Sequence, residues 1–371
     1  MLVELHAIQS FGPSNLNRDD TGNPKEALFG GVRRARISSQ SAKRAMRISD
    51  VFAQSIQVPT GTRTKALVDE IAARLIAHDL PEDYGRQAAT EVVEASFAKP
   101  DKKNANKTNV LVYISSGEID LLVDQILEAY QAGTTVDTKL LQKELGKHFK
   151  GRTLAPDIAL FGRMLAEHPD LNIDAACQVA HAISTHEVNS AEFDYFTAVD
   201  DLMPGDESGA GMLGLVAFNS ATYYRCARID WEQLVTNLNG DVELARSTVI
   251  AIMHAFALVV PTGMKNSFVN QHTPDFLLAV ARPNNDGQSL VNAFEQPVRA
   301  RQGSGYAETS VKVLAKYWEQ IEQAFRLTDP VVSVLNPRNY DLPSEELTTA
   351  QQPNLQNWID MIITSLPGEQ S

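Results

Sequence analysis

Hydrophobic and polar positions alternate cleanly only at the start of the chain. Val3, Leu5 and Ala7 are separated by Glu4 and His6, which predicts a strand over Leu2 to Gln9, although Leu2 and Ile8 blur the period of two. The stretch FGPSNLNRDDTGNPKEALFGG follows, with Gly12, Pro13, Gly22, Pro24, Gly30 and Gly31 among several Asn and Asp. Every local signal there reads as loop, and a loop of this length inside a domain is usually functional or disordered. Ser38 or Ser39 offers an N-cap to a helix expected from about Gln40 to Ala53. From about Val58 to Val179 the period is mostly helical, in segments such as KALVDEIAARLIAH and DAACQVAHAISTHEV. A lysine-rich break, KPDKKNANKTN, interrupts it, and NVLVYIS after the break reads as a strand. Between Asn189 and Gly214 the helical period stops: Phe193, Tyr195 and Phe196 precede DDLMPGDESGAGMLG, which predicts a projecting hairpin with a Gly-rich tip. LVAFNSATYYRCARI and FLLAVARP then read as strands and ELARSTVIAIMHAFALVV as a buried helix. Further helices are expected near Thr309 to Phe325 and Gln351 to Ser365. Together these elements predict an α+β fold carrying a helical insertion and a hairpin, with no internal repeat.

Composition removes several function classes. At 371 residues and 43% hydrophobic, the chain can bury one sizeable core or two modest ones. Cys177 and Cys226 are too few for a disulfide framework and are expected as buried thiols in a reducing cytosol. With no leader-like N-terminus and no run of about 18 apolar residues, a cytoplasmic location without membrane contact is expected. Cys177 and His181 have the i, i+4 spacing of a metal pair and His186 follows, but no further ligand joins them, so a helix core is the favoured reading and no metal or cofactor is expected. No P-loop, GxSxG or HExxH pattern is present.

The net charge of −13 argues against nucleic acid until its distribution is considered. Between Arg18 and Arg47 stand eight basic residues, including Lys25, Arg33, Arg34 and Arg36, against the three acids Asp19, Asp20 and Glu26, a local excess of five positive charges. In FGGVRRARISSQSAKRAMR, Gln40, Lys43 and Arg47 fall at i, i+3 and i+7 on one helical stripe, with Arg44 flanking it. Ala42, Ala45 and Met46 lie largely away from that stripe. The helix start, with the Ser38 and Ser39 hydroxyls nearby, would suit an anionic oxygen, and such contacts position a strand without reading its bases. A solvated basic face is the competing reading. The Gly-rich approach, the mixed donors and the sign opposite to the whole chain favour a binding site. Lys139, Lys143, Lys147 and Lys150 recur at i, i+4, i+8 and i+11 with Arg152 just after, again either a solvated face or a binding one. Lys99, Lys102, Lys103 and Lys107 form a looser patch.

The region GPSNLNRDDTGNPKEALFGGVRRARISSQSAKRAMR resembles the CasC family, the guide-RNA (crRNA) binding backbone subunits of the type I-E CRISPR Cascade complex. DIALFGRMLAE, HEVNSAEFDYFTAVDDL and NAFEQPV resemble family segments in the expected order, so the resemblance covers most of the chain. It implies an RRM-like (ferredoxin-like) palm built from residues 1–57, 181–192 and 215–371, a helical fingers insertion at 58–180 and a thumb hairpin at 193–214. It further implies a non-catalytic protein without cofactor. Its partners would be crRNA, target DNA, other copies of itself in a filament, and the large, small, 5′-end-capping and 3′-end-capping Cascade subunits. By the same resemblance, Arg18, Lys25, Ser38, Gln40, Lys43, Arg44 and Arg47 would hold the guide backbone, and Lys265 with Asn266 in PTGMKNSF would add a contact. Met164, Tyr195 and Phe196 would wedge against bases around a displaced nucleotide. The stripe Lys139, Lys143, Lys147 and Lys150 would track target DNA. Without the resemblance, Met164 reads as a core methionine and Tyr195 and Phe196 as cross-strand packing.

Two other classes stay open. The pairs Asp19-Asp20 and Asp200-Asp201 suggest metal-dependent RNA cleavage, since RNA-targeting relatives of the resembled family place an aspartate in the loop after the first strand; Asp19 or Asp20 would then be the catalytic group. A protein scaffold whose basic patch binds acidic partners is the third class.

Overall fold

The computed structural model describes residues 1–56, 58–189, 191–198, 212–284, 287–300, 305–325 and 329–368. The chain is α+β and divides into two compact units. The first comprises Met1–Phe52, Val179–Arg228 and Ile250–Leu366. The second comprises Ala53–Gln178, Ile229–Val249 and the residues after Leu366.

The first unit is organised on a sheet whose strands lie side by side in the order Val331–Leu335, Phe276–Arg282, Leu2–Ser14, Met212–Asp230, Ala182–Ser184, Val32–Ile37, Glu26–Phe29. The first strand pairs antiparallel with Phe276–Arg282, from Leu2 opposite Arg282 to Ile8 opposite Phe276. Both strands are buried along this whole stretch, which explains why the N-terminal alternation is blurred: a strand covered on both faces has no polar side. Glu4 and His6 therefore lie inside. Arg282 Nε donates to Glu4 Oε2 at 2.9 Å, and His6 Nδ1 lies 2.8 Å from the Tyr224 hydroxyl. Trp318 and Leu314, from the helix Tyr306–Phe325, share a core cluster with Ile8, Tyr224, Phe276 and Phe294.

Three expectations fail in this unit. The Gly-rich stretch after the first strand is not loop throughout: the strand continues to Ser14, and Glu26–Phe29 forms a hairpin with Val32–Ile37. Its turn residues Gly30 and Gly31 have φ of 59° and 76°, the paired positive values of a two-residue type I′ turn. The basic helix ends at Arg47, and a separate helix covers Asp50–Gln54. Ser49 causes the break, its Oγ donating to Met46 O (2.7 Å) and accepting from Phe52 N (3.2 Å). The Ala-rich DAACQVAHAISTHEV is extended, with strands at Cys177–Val179 and Ala182–Ser184. Its helical propensity loses to sheet pairing, Ile183 opposite both Tyr224 and Arg36. Cys177 and His181 are thus not one helical turn apart. Both cysteines are free and buried.

The second unit is largely helical. Helices Leu67–Ala77, Glu82–Ser96, Ser116–Gln131 and Thr138–Phe149 pool Leu67, Ile71, Val92, Ile119, Leu122 and Leu145 into one core. The lysine-rich break forms a small hairpin, Pro100–Asp101 with Asn104–Thr108, and Val112–Ile114 pairs with Thr62–Thr64. The helix Pro156–Phe161 stops at Gly162, whose φ of 76° an L side chain rarely adopts. After it, Arg163 is drawn inward to Glu118, both side chains almost fully buried. Arg163 Nη1 donates to Glu118 Oε2 at 2.8 Å, while its 2.6 Å approach to Oε1 is an ionic contact without hydrogen-bond alignment. Among the described residues no helix is long and apolar enough to cross a membrane.

Arg163→Met leaves the Glu118 carboxylate buried without its cation. The expected cost is about 3–5 kcal/mol, read as an earlier urea transition of the helical unit by circular dichroism.

Candidate nucleic-acid interface

Three segments far apart in sequence meet on the first unit: the loop after the first strand, the helix Ser39–Arg47, and the loop 261–263. They line a cleft of about 500 Å³ that includes Arg18, Asp20, Ser41, Arg44, Thr262 and Gly263. Gly263 makes the meeting possible. A Cβ at this position would run into the carbonyl oxygen of Leu16 and lie 2.5 Å from that of Asn15. Asn270 Nδ2 donates to Gly263 O at 2.6 Å and holds the loop from the other side.

The loop itself is tied by side chains. Asp19 Oδ1 accepts from the Thr21 hydroxyl (2.7 Å), Thr21 N (2.9 Å) and Asn23 N (3.0 Å). The Thr21 hydroxyl and then the backbone amides hold the Asp19 carboxyl below its ordinary pKa. Asn15 Nδ2 donates to Gly22 O (3.0 Å) and to Ala217 O (2.8 Å), anchoring the loop to the sheet. Asp19 therefore organises the loop. Asp20 is exposed at the cleft. Among the described residues no three His, Cys, Asp or Glu side chains form a group that could hold a metal ion. Asp200 and Asp201 lie outside the described residues.

Arg18, Gln40 and Arg44 are exposed, and Lys25, Lys43 and Arg47 are half-buried. On the opposite side of the helix Ala45 and Met46 are buried, as the stripe requires. Ser38 is different from its neighbours. It is 5% exposed, its Oγ accepts from Ser41 N at 3.3 Å, and its own amide donates to Asn17 Oδ1 at 2.8 Å. Its hydroxyl is the helix cap, so its contribution to a strand is to set the helix start. Lys265 is exposed on the one-turn helix Lys265–Phe268, flanked by Met264 and Val269 in the left-handed region with φ of 48° and 49°.

Of the basic residues in this stretch, one is committed to the fold and another is paired at the surface. Arg34 is fully buried, donating to Phe29 O, Ser184 O and Phe294 O at 3.2, 3.0 and 2.8 Å, and Arg33 pairs with Glu26 at 2.6 Å. Asn17 carries no signal in the sequence, Arg36 stands there only as one of the eight basic residues, and His181 only as a helical partner of Cys177. His181 Nδ1 lies 3.2 Å from Ser39 N and 3.4 Å from Arg36 Nη1.

The hairpin pairs Glu192–Ala198 with Met212–Phe218. Tyr195 stands opposite Leu215 and Phe193 opposite Ala217, so these share one face. Tyr195 is 70% exposed, Phe193 53% and Leu215 55%. Phe196 is on the other face and lies over Gly214, leaving no room for a side chain there. The tip, residues 199–211, lies outside the described residues.

In the helical unit Met164 is 85% exposed while Arg163 and Leu165 beside it are buried. The core reading of Met164 is thereby excluded. Lys139, Lys143 and Lys147 are exposed on the helix Thr138–Phe149, with Lys147 3.5 Å from Glu144. Lys150 departs from the stripe because the helix ends at Phe149; it turns to Asp170 at 3.3 Å. Lys99, Lys102, Lys103 and Lys107 are exposed on and beside the small hairpin.

The model of the family described as CT1975-like protein matches residues 3–361. No curated protein matches the chain. Among solved structures, a chain of a "CRISPR RNA-guided surveillance complex, pre-nicking" superposes with a TM-score of 0.86 at 30% identity, covering 98% of this chain and 100% of that one. A chain of a "CRISPR RNA-guided surveillance complex" gives 0.76 at 26% identity, covering 99% and 100%.

Gly263→Ala is expected to push the 15–16 backbone off the loop 261–265 and to cost about 1–3 kcal/mol; a thermal melt within error of the unmodified protein would show that the two loops do not pack this closely.

Proposed function

The chain belongs to the CT1975-like protein family, and on that footing we propose that it is a non-catalytic backbone subunit of a type I-E CRISPR surveillance complex that polymerises along the guide crRNA. The observation that carries this reading is that Arg18 and Arg44 line one cleft, and that Lys25, Gln40, Lys43, Arg47 and Lys265 belong to the same unit, in a protein whose net charge is −13. A cationic ridge on an acidic body confines polyanion binding to one surface. Phosphate contacts there hold the strand without reading it, and sequence is left to base pairing between guide and target DNA. The solved chains this protein resembles come from RNA-guided surveillance complexes, which supports crRNA and further subunits of such a complex as its partners.

The topology supports an RRM-like palm. The strands Leu2–Ser14, Ala182–Ser184, Met212–Asp230 and Phe276–Arg282, taken as first to fourth, lie in the order fourth, first, third, second. The helix Ser39–Arg47 follows the first and Val242–Leu258 the third, the βαββαβ sequence of ferredoxin-like folds. The helical unit corresponds to the fingers and the hairpin at 192–218 to the thumb. Exposed Tyr195 and Phe196 on the thumb, and exposed Met164 on the fingers, suit apolar wedges between bases. Lys139, Lys143 and Lys147 suit a target-DNA track, with Lys150 contributing only if it leaves Asp170.

The purified protein should bind unstructured RNA with a log–log salt slope of roughly 0.7 per neutralised phosphate. Lys43→Ala with Arg47→Ala should lower that slope by roughly 1.4, and Lys43→Glu with Arg47→Glu should abolish assembly on guide RNA, with a circular-dichroism spectrum like that of the unmodified protein as the check that the variant is folded. A flat slope in the unmodified protein would favour a protein scaffold instead. A second reading, metal-dependent cleavage of target RNA, is kept because Asp20 is exposed at the cleft beside Arg18 and Arg44. Labelled complementary RNA incubated with the assembled complex and Mg²⁺ should stay intact; products that disappear in Asp20→Ala would replace the non-catalytic reading.

A further inference from the structure

His181 sits where the strand Ala182–Ser184 begins, at the start of the basic helix. Both neighbours of its Nδ1 are obligate donors. Ser39 contributes a backbone N–H at 3.2 Å, and Arg36 a guanidinium N–H at 3.4 Å; neither can accept a proton. Nδ1 is therefore the acceptor, and the neutral ring carries its proton on Nε2. Partial burial first, and then the charges of Arg36 and Lys25, hold the imidazole below its ordinary pKa, so it is uncharged at neutral pH. The residue is nonetheless exposed, and among the described residues Nε2 has no hydrogen-bond partner.

Two cations act on this ring, Arg36 from the Nδ1 side and Lys25 through its charge. The backbone of Arg36 donates to Lys25 O at 2.8 Å, which keeps the two residues adjacent. Arg36 is steadied by its Nε donating to Glu26 O at 3.1 Å. The nearest acid on that hairpin, Glu26, has its carboxylate engaged by Arg33 at 2.6 Å.

We infer that His181, Arg36 and Lys25 form an anion subsite for the bound strand, in which the His181 Nε2–H donates to a phosphate oxygen and the two cations balance its charge. The inference rests on the guide-binding reading. It differs from a second possible role of His181, that of a passive cap accepting the Ser39 amide. It also assigns this site one contact that carries no charge of its own.

His181→Asn and His181→Ala separate these roles. The Asn side chain can still place an acceptor near Ser39 N but has no donor at the Nε2 position, whereas Ala removes both. Both variants are expected to bind unstructured RNA roughly tenfold more weakly than the unmodified protein, with an unchanged salt slope because no cation is lost. An Asn variant that binds like the unmodified protein would reduce His181 to a cap and overturn the inference, and so would an Ala variant with full affinity. A slope that falls by about 0.7 in either variant would show a charged contact and overturn the neutral-donor role. Failure of the unmodified protein to bind RNA at all would instead sink the guide-binding reading itself. Should His181→Ala fail to fold, the Asn variant alone still decides.

Discussion

The start of the helix Ser39–Arg47 is gripped from three sides. The Ser38 amide donates to Asn17 Oδ1, the Ser38 hydroxyl accepts from Ser41 N, and the Ser39 amide donates to His181 Nδ1. These bonds satisfy backbone donors that a helix start otherwise leaves open. They also fix the helix relative to a loop on one side and a sheet strand on the other. The direction in which Gln40, Lys43, Arg44 and Arg47 project follows from that anchoring. One consequence runs against expectation: the Ser38, Ser39 and Ser41 amides are taken by protein groups, so an anion bound here would depend on the side chains along the helix more than on those amides.

The same region shows how little the charge of a segment says about the charge of a surface. Arg34 supplies one of the eight positive charges between Arg18 and Arg47, yet its guanidinium is spent on four carbonyl oxygens, those of Phe29, Ser184, Phe294 and Glu295. Arg33 answers Glu26. Removing both still leaves a positive ridge, because the two remaining acids, Asp19 and Asp20, belong to the loop rather than to the helix. Asp19 in turn is held ionised by the Thr21 and Asn23 donors that shape the loop, so its negative charge is fixed close to Arg18. A charge so placed helps orient the loop but also limits how much of the cleft a phosphate can approach.

The basic stripe was legible from spacing alone, since Gln40, Lys43 and Arg47 needed only a helix to align, and the long helices near the C-terminus were found to within a few residues. Glu4 and His6 were misleading because alternation assumes a wet face, and this strand has none. The hairpin around Gly30 and Gly31 carried its own signal, two adjacent glycines able to take positive φ, but it was submerged in a run of turn-forming residues. The segment 174–188 could not have been read correctly by local propensity: its alanines favour helix, and only pairing with Tyr224 and Arg36 from distant strands makes it extended. The setting of His181, weighed only as a helical partner of Cys177, was lost with it. Lys265 depended on the family resemblance, because no local pattern says that Gly263 packs against Leu16 and Asn15 nearly 250 residues earlier.

Met164 illustrates why exposure can be built as deliberately as burial. Gly162 ends the helix at a positive φ of 76°, Arg163 is then locked by Glu118, Tyr113 O and Leu171 O, and Leu165 is buried. With both neighbours fixed, the methionine between them has no inward option and projects on a backbone that is already ordered. A flexible loop presenting the same side chain would lose conformational entropy at about 1–2 kcal/mol per residue on contact with a ligand. Here most of that cost falls within folding, so an apolar contact to a base would keep more of its favourable free energy. The buried ion pair, an uncertain contributor to stability taken alone, is better understood as the device that sets the direction of the residue next to it.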